Sequence, residues 1–425
     1  MTFKIKAQKY LEKFGASEAN VLAKACCYPS RWRHVLAVPL CSEAEYLPNL
    51  LASIEAACHS QGKVLCIFLV NNRENATEKV FQNNRRALAH LVDDSAEQGQ
   101  GSNVKWYLRH GGAYDSLVID RSTYQPFKEK EGVGLARKIV SDVAIALMAN
   151  GSITGQWVRN TDGDATLPPD FFSREEVWDR WAGTSAVIAG YAHIRNFSLS
   201  ESHWKSACYY EAWLRYYENG LRDAGSPYGF ATIGSLISFH KLCYVQVRGF
   251  PNREAAEDFY LLNKLAKMGV VRTDDELVVE LLDRESSRVP FGTGQGVRKI
   301  NGLLDSGEEY RVYDPRVFEC LQLIITGCTD FITNGGYSFS PIDHEKILDD
   351  DEWEDILDQF RFEEGCKGAL GRSRSIDGAI AQFHNWFDSF KTLKFIHYLR
   401  DCHFPSLPIE SVPFTRNWVE TMESS

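Results

Sequence analysis

The sequence predicts an α/β protein in which helices cover both faces of a mostly parallel sheet, followed by a C-terminal helical region. The first observation is that apolar, strand-like runs alternate with amphipathic helical stretches from about residue 34 to residue 280. The second is that HVLAVPL (34–40) and KVLCIFLVNN (63–72) are apolar almost throughout, as expected of strands that are buried on both faces. The third is that the alternation stops beyond about residue 302, where helical patterns follow one another.

The length and composition of the chain restrict the classes of protein to which it can belong. Its 425 residues leave room for two or three domains, and 44% apolar with 24% charged residues is typical of a globular protein. A net charge of −10 argues against a nucleic-acid partner, because such proteins present a basic face to the phosphates. The sequence has no apolar run of signal length at its start and no segment of roughly 18 apolar residues. We therefore expect a cytoplasmic protein without a transmembrane segment.

The first five elements are predicted from alternating apolar runs and helical spacing. Leu47, Leu50 and Ile54 recur at helix spacing after the first strand, and a second apolar strand and a second helix follow them. VKWYLRH is the candidate third strand, and the polar, glycine-rich stretch before it predicts a surface loop. In chain order the strands are expected at 34–40, 63–72 and 104–110, the helices at 43–58 and 76–92, and the loop at 93–103.

The next elements continue the alternation of strands and helices. GVGLARKIVSDVAIALMAN (132–150) predicts a helix that begins with small residues, and QWVRNTD (156–162) predicts a strand. A helix around 169–182, the strand SAVIAGYAHI (185–194) and an aromatic-rich helix (203–219) follow. These patterns complete the sheet and the helices that cover it.

Three regions are expected from these patterns. Residues 1–33 form an N-terminal helical extension, 34–301 form the α/β domain, and 302–425 form the C-terminal helical region. The last region contains the acidic helix 344–360 and the aromatic helix 379–399. We expect it to complete a ligand-binding site or to form a homodimer.

Two aspartates stand where one of the predicted strands ends. In WVRNTDGDATLPPDFF (157–172), Asp162 and Asp164 flank a glycine, which allows the backbone to approach a ligand closely. Ligands of parallel sheets bind beyond the carboxyl ends of the strands, and Mg²⁺ or Mn²⁺ commonly takes one or two carboxylates together with substrate phosphates. The motif taken alone is more typical of a solvated turn.

Two further segments carry charges suited to chemistry. In RGFPNREAAEDFYLLNKLAKMG (248–269), Glu257 and Asp258 begin an amphipathic helix, whose dipole favours acids and keeps Asp258 ionised, as a general base requires. In RESSRVPFGTGQGVRK (284–299), Arg284 and Arg288 precede a glycine-rich backbone that suits a diphosphate. The alternatives are a helix that is merely stabilised by its acids and a flexible surface loop.

These motifs together, in their order along the chain, resemble a known family. PLCSEAEYL, VNNREN, GVGLARKIVSDVA, RNTDGDATLPPDFF and RGFPNREAAEDFYLLNKL resemble the corresponding segments of family 2 glycosyltransferases with the GT-A fold, a nucleotide-diphospho-sugar transferase fold. The resemblance covers roughly residues 34 to 290. Each motif is loose by itself, whereas their order and spacing are much more specific.

The resemblance implies where the nucleotide of the donor is held. The end of the first strand and the acid after it correspond to Pro39, Leu40 and Glu43. The second strand of the family usually ends in an acid that contacts the base, and here Asn71 and Asn72 take that place. An amide can still form hydrogen bonds with the edge of uracil or guanine.

The resemblance also implies the roles of four charged residues. Arg137 corresponds to a basic residue near the nucleotide, and Asp162 and Asp164 correspond to the motif that binds the metal and the nucleotide sugar. Asp258 corresponds to the general base of inverting members. Arg284 or Arg288 is expected to add positive charge next to the diphosphate.

The function implied by the resemblance is a metal-dependent transfer of a sugar from a nucleotide-diphospho-sugar donor to a hydroxyl acceptor, with Mn²⁺ or Mg²⁺ as cofactor. The acceptor is a glycan, a small molecule or a lipid-linked sugar reached by peripheral contact with a membrane. The chain lacks the QxxRW motif and the spans of processive synthases, which favours a soluble, non-processive enzyme.

Two other functions remain open at the level of sequence. A nucleotidyltransferase shares the sheet and the carboxylates, but it should carry a glycine- and arginine-rich signature near the first strand, which PLCSEAEYL lacks. A non-catalytic nucleotide-sugar-binding protein with a degenerate GT-A fold is favoured by the Asn71–Asn72 departure, and the DGD motif and the Glu257–Asp258 pair count against it.

Overall fold

The computed structural model describes two compact units, each treated separately below. It covers residues 2–58, 62–101, 104–284, 293–335 and 347–423. The sheet unit comprises Met1–Phe197 and Thr232–Gln295, and the helical unit comprises Ser198–Ala231 and Gly296–Ser425. The predicted domain limits of 1–33, 34–301 and 302–425 stay a prediction. The two units differ from them mainly in that residues 198–231 belong to the helical unit.

The sheet unit is built around a ten-stranded sheet with the order β3-β4-β5-β2-β1-β6-β9-β8-β10-β7. Its strands are β1 (His34–Leu40), β2 (Val64–Asn71), β3 (Glu97–Gln100), β4 (Lys105–His110), β5 (Tyr114–Arg121), β6 (Trp157–Asn160), β7 (Ala165–Thr166), β8 (Thr184–Ile194), β9 (Ile237–His240) and β10 (Val270–Leu282). The strands β5, β2, β1 and β6 are parallel neighbours, as are β8 and β10. The strands β4, β9 and β7 run antiparallel to their neighbours, so the sheet is mostly parallel, as predicted.

Helices cover both faces of this sheet, which confirms the predicted α/β class. The helices of the sheet unit are α1 (Phe3–Phe14), α2 (Ser17–Ala25), α3 (Leu47–Ala57), α4 (Glu78–Leu91), α5 (Val133–Ala149), α6 (Glu175–Trp178), α8 (Lys241–Gln246) and α9 (Glu257–Leu265). Helix α5 packs on β1, β2 and β6 and is buried along most of its length. Every residue of β1 and β2 is buried, because both faces of these strands are covered.

The N-terminal helices are attached to the sheet unit through one buried carboxylate. Asp142 of α5 is fully buried and accepts hydrogen bonds from the hydroxyls of Tyr10 at 2.5 Å and Tyr244 at 2.9 Å. The backbone N–H of Ala16, between α1 and α2, donates to its other oxygen at 2.8 Å. A buried carboxylate is tolerated only when its oxygens are satisfied in this way, so α1 and α2 pack as part of the sheet unit.

The region after α4 differs from the sequence-based expectation. The predicted third strand is present as β4, but it is antiparallel, and the next parallel strand is β5, which the apolar pattern did not reveal. The second residue of β5 is Asp115, a fully buried acid paired with Arg31 and Lys63 at 2.8 Å each. Part of the predicted loop 93–103 forms β3. Charged residues interrupt the apolar pattern of these strands, and their ion pairs form only in the folded chain, so the sequence did not predict the strands.

The helical unit contains α7 (Glu201–Asp223), α10 (Thr293–Asp305) from Gly296 onward, α11 (Arg316–Thr333), α12 (Asp350–Phe360), α13 (Phe362–Arg372), α14 (Ile376–Trp386), α15 (Ser389–Cys402) and α16 (Pro413–Glu423). Two short strands, β11 (Arg311–Val312) and β12 (Leu407–Pro408), pair antiparallel within it. Its core is aromatic and aliphatic and includes Trp353, Phe362 and Phe395. This unit confirms the predicted C-terminal helical region. In the described part of the chain, every helix is too short or too polar to cross a bilayer.

Candidate active site

Charged residues of the sheet unit form a connected network beyond the carboxyl ends of β1 and β6. The loop after β1 contributes Glu43, the turn after β6 contributes Asp162 and Asp164, and the end of β10 is followed by Arg284. Helix α5 contributes Arg137 from its second turn, and α9 begins with Glu257 and Asp258. Because carboxyl ends of parallel strands meet at one edge, the sheet brings together residues that are distant in sequence.

The turn that carries the two aspartates requires the glycine between them. A Cβ added at Gly163 would lie 2.6 Å from Cδ2 of Leu40 and 2.9 Å from Oε2 of Glu43. Both distances are shorter than van der Waals contact, so no larger residue fits without displacing Glu43. Gly163 therefore lets the turn after β6 lie directly against the loop after β1.

Arg284 connects these two loops. Its Nη2 donates to Oε1 of Glu43 at 2.8 Å, and its Nε donates to Oδ2 of Asp164. The guanidinium also lies 5.5 Å from the ring centroid of Tyr46 and is 15% exposed. Burial alone would lower the pKa of Arg284, but the charges of Asp164 and Glu43 raise it, so it stays a cation.

The position of Arg284 follows from the pairing of two strands. Strand β10 pairs antiparallel with the short β7, which places Leu281 opposite Ala165. The backbone N–H of Leu282 donates to the carbonyl of Asp164 at 3.3 Å. Arg284, two residues farther along, therefore reaches the carboxylate of Asp164.

Arg137 forms a second bridge, deeper in the unit. Its Nη2 donates to both carboxylate oxygens of Asp162, at 2.8 and 3.0 Å, and its Nε donates to Oε1 of Glu257 at 2.9 Å. The side chain is 4% exposed, and Nη1 has no hydrogen-bond partner among the residues described. Burial alone would lower the pKa of Arg137, but Asp162 and Glu257 raise it. A Cβ at Gly234 would lie 2.5 Å from Nη2, so that glycine makes room for the guanidinium.

The small residues that begin α5 explain how α9 reaches Arg137. A Cβ added at Gly134 would lie 2.5 Å from the carbonyl oxygen of Arg253, and one at Gly132 would lie 3.0 Å from that of Glu254. The start of α5 therefore packs directly against the backbone that leads into α9. This contact brings Glu257 within reach of Arg137.

Asp258 is an ionisable group of the site whose pKa lies near neutrality. Burial, together with the adjacent charge of Glu257, raises its pKa from 3.8 to about 7, while the charge of Arg137 opposes the rise. Its Oδ1 accepts a hydrogen bond from the backbone N–H of Phe259 at 2.7 Å. Burial also raises the pKa of Asp162, against the effect of Arg137. A carboxylate that titrates near pH 7 is suited to accept a proton.

Two asparagines of α4 hold the loop that carries Glu43, and sequence reasoning missed them. The backbone N–H of Ser42 donates to Oδ1 of Asn84 at 2.8 Å, and that of Ala44 donates to Oδ1 of Asn83 at 2.9 Å. Both asparagines are buried, at 0% and 4% exposure. The available signal was a pair of amides in a helix whose pattern places them on its buried side.

The residues at the ends of β1 and β2 that are expected to bind the nucleotide lie outside the charged network, with the exception of Glu43. Pro39 and Leu40 are buried at the end of β1, and the carbonyl of Leu40 accepts from the amide of Asn71 at 3.2 Å. Asn72 is 2% exposed, and its amide oxygen accepts from Asn84 at 2.9 Å while its nitrogen donates to the carbonyl of Arg73 at 3.0 Å. The structure does not bring Asn72 into the charged network, and its role with the base stays a prediction.

The carboxylate oxygens of this site are suitable ligands for a hard divalent cation. Asp162 and Asp164 keep 29% and 13% exposure of their side chains, and one or two carboxylates with substrate phosphates suffice for Mg²⁺ or Mn²⁺. In the ranges that the structure covers, no group of three or more histidine, cysteine, aspartate or glutamate side chains is arranged to hold a metal. A cation would therefore need oxygens of the donor or of water. Arg288 lies outside the described residues.

Comparison with known proteins gives only distant structural similarities. No protein-family model and no curated protein matches the chain. The chain is similar to TarS 1-349 of S. aureus in complex with UDP-GlcNAc, with 11% identity, a TM-score of 0.37, and coverage of 84% of this chain and 91% of that one. It is also similar to the mannosyltransferase PcManGT of Pyrobaculum calidifontis in complex with GDP-Man and Mn²⁺, with 14% identity, a TM-score of 0.35, and coverage of 100% and 96%. Both TM-scores are below 0.5, so the proposals below rest on the site itself.

Proposed function

We propose that the protein is a glycosyltransferase of the family 2 type with a GT-A fold. It transfers a sugar from a nucleotide-diphospho-sugar to a hydroxyl acceptor and inverts the anomeric centre. The observation that carries the proposal is the Arg137 bridge, which joins Asp162 of the DGD turn to Glu257, the neighbour of Asp258. A residue suited to the donor and a residue suited to proton transfer are thereby held in one network.

In this proposal Asp258 is the general base. With a pKa of about 7, it is substantially ionised at neutral pH and still basic enough to accept the proton of a hydroxyl. The acceptor oxygen then attacks the anomeric carbon from the face opposite the diphosphate, and the bond to the diphosphate oxygen breaks. One displacement inverts the centre, and the proton of the hydroxyl remains on Asp258.

The arginines are proposed to act on the diphosphate. The unpartnered Nη1 of Arg137 and the guanidinium of Arg284 are donors of the kind that phosphate oxygens accept. Both remain cationic over the physiological range, because arginine does not deprotonate in proteins. A bound Mn²⁺ or Mg²⁺ would be held by Asp164 with support from Asp162, and it would neutralise charge on the leaving diphosphate.

The proposal is tested by identifying the product that carries the phosphates. The protein is incubated with UDP-sugars and GDP-sugars, Mn²⁺ and a panel of saccharide and lipid-linked acceptors, and the released nucleotide is measured. Release of UDP or GDP that requires both an acceptor and Asp258, tested with Asp258→Asn, supports the proposal. Release of pyrophosphate would instead identify a nucleotidyltransferase, and binding of nucleotide sugars without turnover would identify a binding protein.

A further inference from the structure

We propose that Arg284 is the internal counter-ion of Glu43 and Asp164, and that it makes the divalent cation and the nucleotide diphosphate bind together rather than independently. This inference rests on the proposed function and goes beyond it in coupling the binding of the two ligands to each other. Arg284 would be a positioning residue: it keeps a cation off Asp164 until an anion arrives to take the guanidinium.

The geometry supports this role because one guanidinium bridges two loops. Nη2 of Arg284 reaches Glu43 at 2.8 Å and Nε reaches Asp164, so two edges of the planar group are used by carboxylates. The exposures of the three side chains are 15%, 5% and 13%, which shields the bridge from solvent. A cation that binds the same oxygen of Asp164 would lie next to the guanidinium of Arg284, whose positive charge repels it.

The charges explain why neither ligand would bind well alone. Among the residues that the structure describes, the network contains five carboxylates and two guanidiniums, a formal charge of −3 when all are ionised (2 − 5). The net negative charge repels a diphosphate that binds without a cation. The positive charge of Arg284, which is paired with Asp164, repels a cation that binds without a diphosphate. With both ligands bound, Asp164 would hold the cation, and the guanidinium of Arg284 would donate to phosphate oxygens instead. The seven residues are Glu43, Asp162, Asp164, Glu257, Asp258, Arg137 and Arg284.

Arg137 supplies an independent sign that an anionic ligand belongs here. Its side chain is 4% exposed, yet Nη1 has no acceptor among the described residues. Buried guanidinium nitrogens are normally hydrogen-bonded, so this one is suited to an oxygen of a ligand. Because Nη2 of the same guanidinium holds Asp162, that oxygen would lie next to the DGD turn.

The coupling is measured by calorimetric titration with MnCl₂ alone, with UDP or GDP alone, and with each in the presence of the other. In the wild-type protein, a saturating nucleotide should tighten Mn²⁺ binding by about tenfold or more, and Mn²⁺ should tighten nucleotide binding by the same factor. In Arg284→Gln, binding of Mn²⁺ alone should become about fivefold tighter or more, while the nucleotide binds more weakly in Mn²⁺. The factor by which each ligand tightens the binding of the other should then fall towards one.

Arg174→Gln is the matched control. Arg174 is also 15% exposed in the sheet unit and also bridges two acids, Asp274 at 2.6 Å and Glu276 at 2.8 Å, which are outside the network. It should leave all three titrations unchanged. If Arg284→Gln does not fold, as judged by circular dichroism, Arg284→Lys replaces it, since lysine keeps the charge but loses the two-edged bridge and should change Mn²⁺ binding in the same direction.

The outcomes separate the inference from the proposed function. If wild-type protein binds Mn²⁺ equally well with and without bound nucleotide, or if the Arg284 variants bind Mn²⁺ alone no more tightly than wild type, the inference is wrong. If neither UDP nor GDP binds under any condition, the proposed donor class is wrong. The titrations with Mn²⁺ alone still decide the role of Arg284 in that case.

Discussion

Replacement of Arg137 by methionine tests the buried bridge most directly. Methionine keeps much of the volume and removes the charge, leaving Asp162 and Glu257 without their shared partner. Breaking a buried ion pair by removing one side costs about 3–5 kcal/mol, and each kcal/mol lowers the melting temperature of a large domain by about 2–4 °C. We therefore expect Arg137→Met to melt on the order of 10 °C below wild type at neutral pH.

The pH dependence of this loss has a defined sign. Without Arg137, the folded-state pKa of Asp162 rises further, because the guanidinium no longer opposes the effect of burial, so the folded variant binds a proton that the unfolded chain has released. Stability contributed by such groups is present at low pH and is lost as pH rises, so the deficit should be larger at pH 8 than at pH 5. Because Arg137 lowers the pKa of Asp258, the acidic limb of turnover in any active variant should also move above the wild-type value of about 7.

The measurement combines differential scanning calorimetry at several pH values with rate profiles. Arg174→Met is the control, because its acid Asp274 keeps a hydrogen bond from Nε1 of Trp178 at 2.7 Å and the pair is outside the network. It should lose less stability and leave the acidic limb unchanged. A melting temperature of Arg137→Met within about 2 °C of wild type, with an equal deficit at pH 5 and pH 8, would refute the account of the bridge.

Three further predictions follow from the same contacts. Asp258→Asn should lower kcat by about 10²- to 10⁴-fold while nucleotide affinity in calorimetry stays close to wild type, and loss of affinity instead would assign Asp258 to binding. Gly163→Ala should cost about 1–3 kcal/mol in denaturant unfolding and weaken nucleotide binding, because the new Cβ meets Leu40 and Glu43; an unchanged midpoint would contradict the close packing of the turn. Asn84→Ala should cost about 1–3 kcal/mol and weaken nucleotide binding through the loop of Glu43, and an unchanged affinity would show that this loop is held by other contacts.

The sheet and the location of the candidate site follow from local patterns in the sequence. The apolar runs of β1 and β2 and the helical spacing of Leu47, Leu50 and Ile54 depend on periodicity, which neighbouring residues determine. The DGD motif stands at a strand end, and the structure places it there. The Glu257–Asp258 pair begins a helix, as its sequence indicates.

Other features depend on pairs of residues that no local pattern reveals. The bridge from Arg284 to Asp164 requires the antiparallel pairing of β7 with β10, and these two residues are 120 positions apart. Strand β5 was not predicted, because an aspartate such as Asp115 is expected to be exposed to solvent. Its burial depends on the ion pairs with Arg31 and Lys63. Long-range pairing of this kind is a property of the folded chain.

Two strained backbone positions stand immediately before acids of the site. Ser42 has φ of 56° and precedes Glu43, and Ala256 has φ of 61° and precedes Glu257. Side chains with a Cβ adopt this left-handed region at a cost of about 1–3 kcal/mol, and glycine adopts it without that cost. At these two positions, selection for heat resistance would therefore favour glycine, whereas selection for turnover would favour a residue that holds the acid in place. Glycine would relax each turn but loosen the acid that follows, so a library selected for heat resistance alone should accept glycine at 42 and 256, and one selected for turnover should keep residues with a Cβ there.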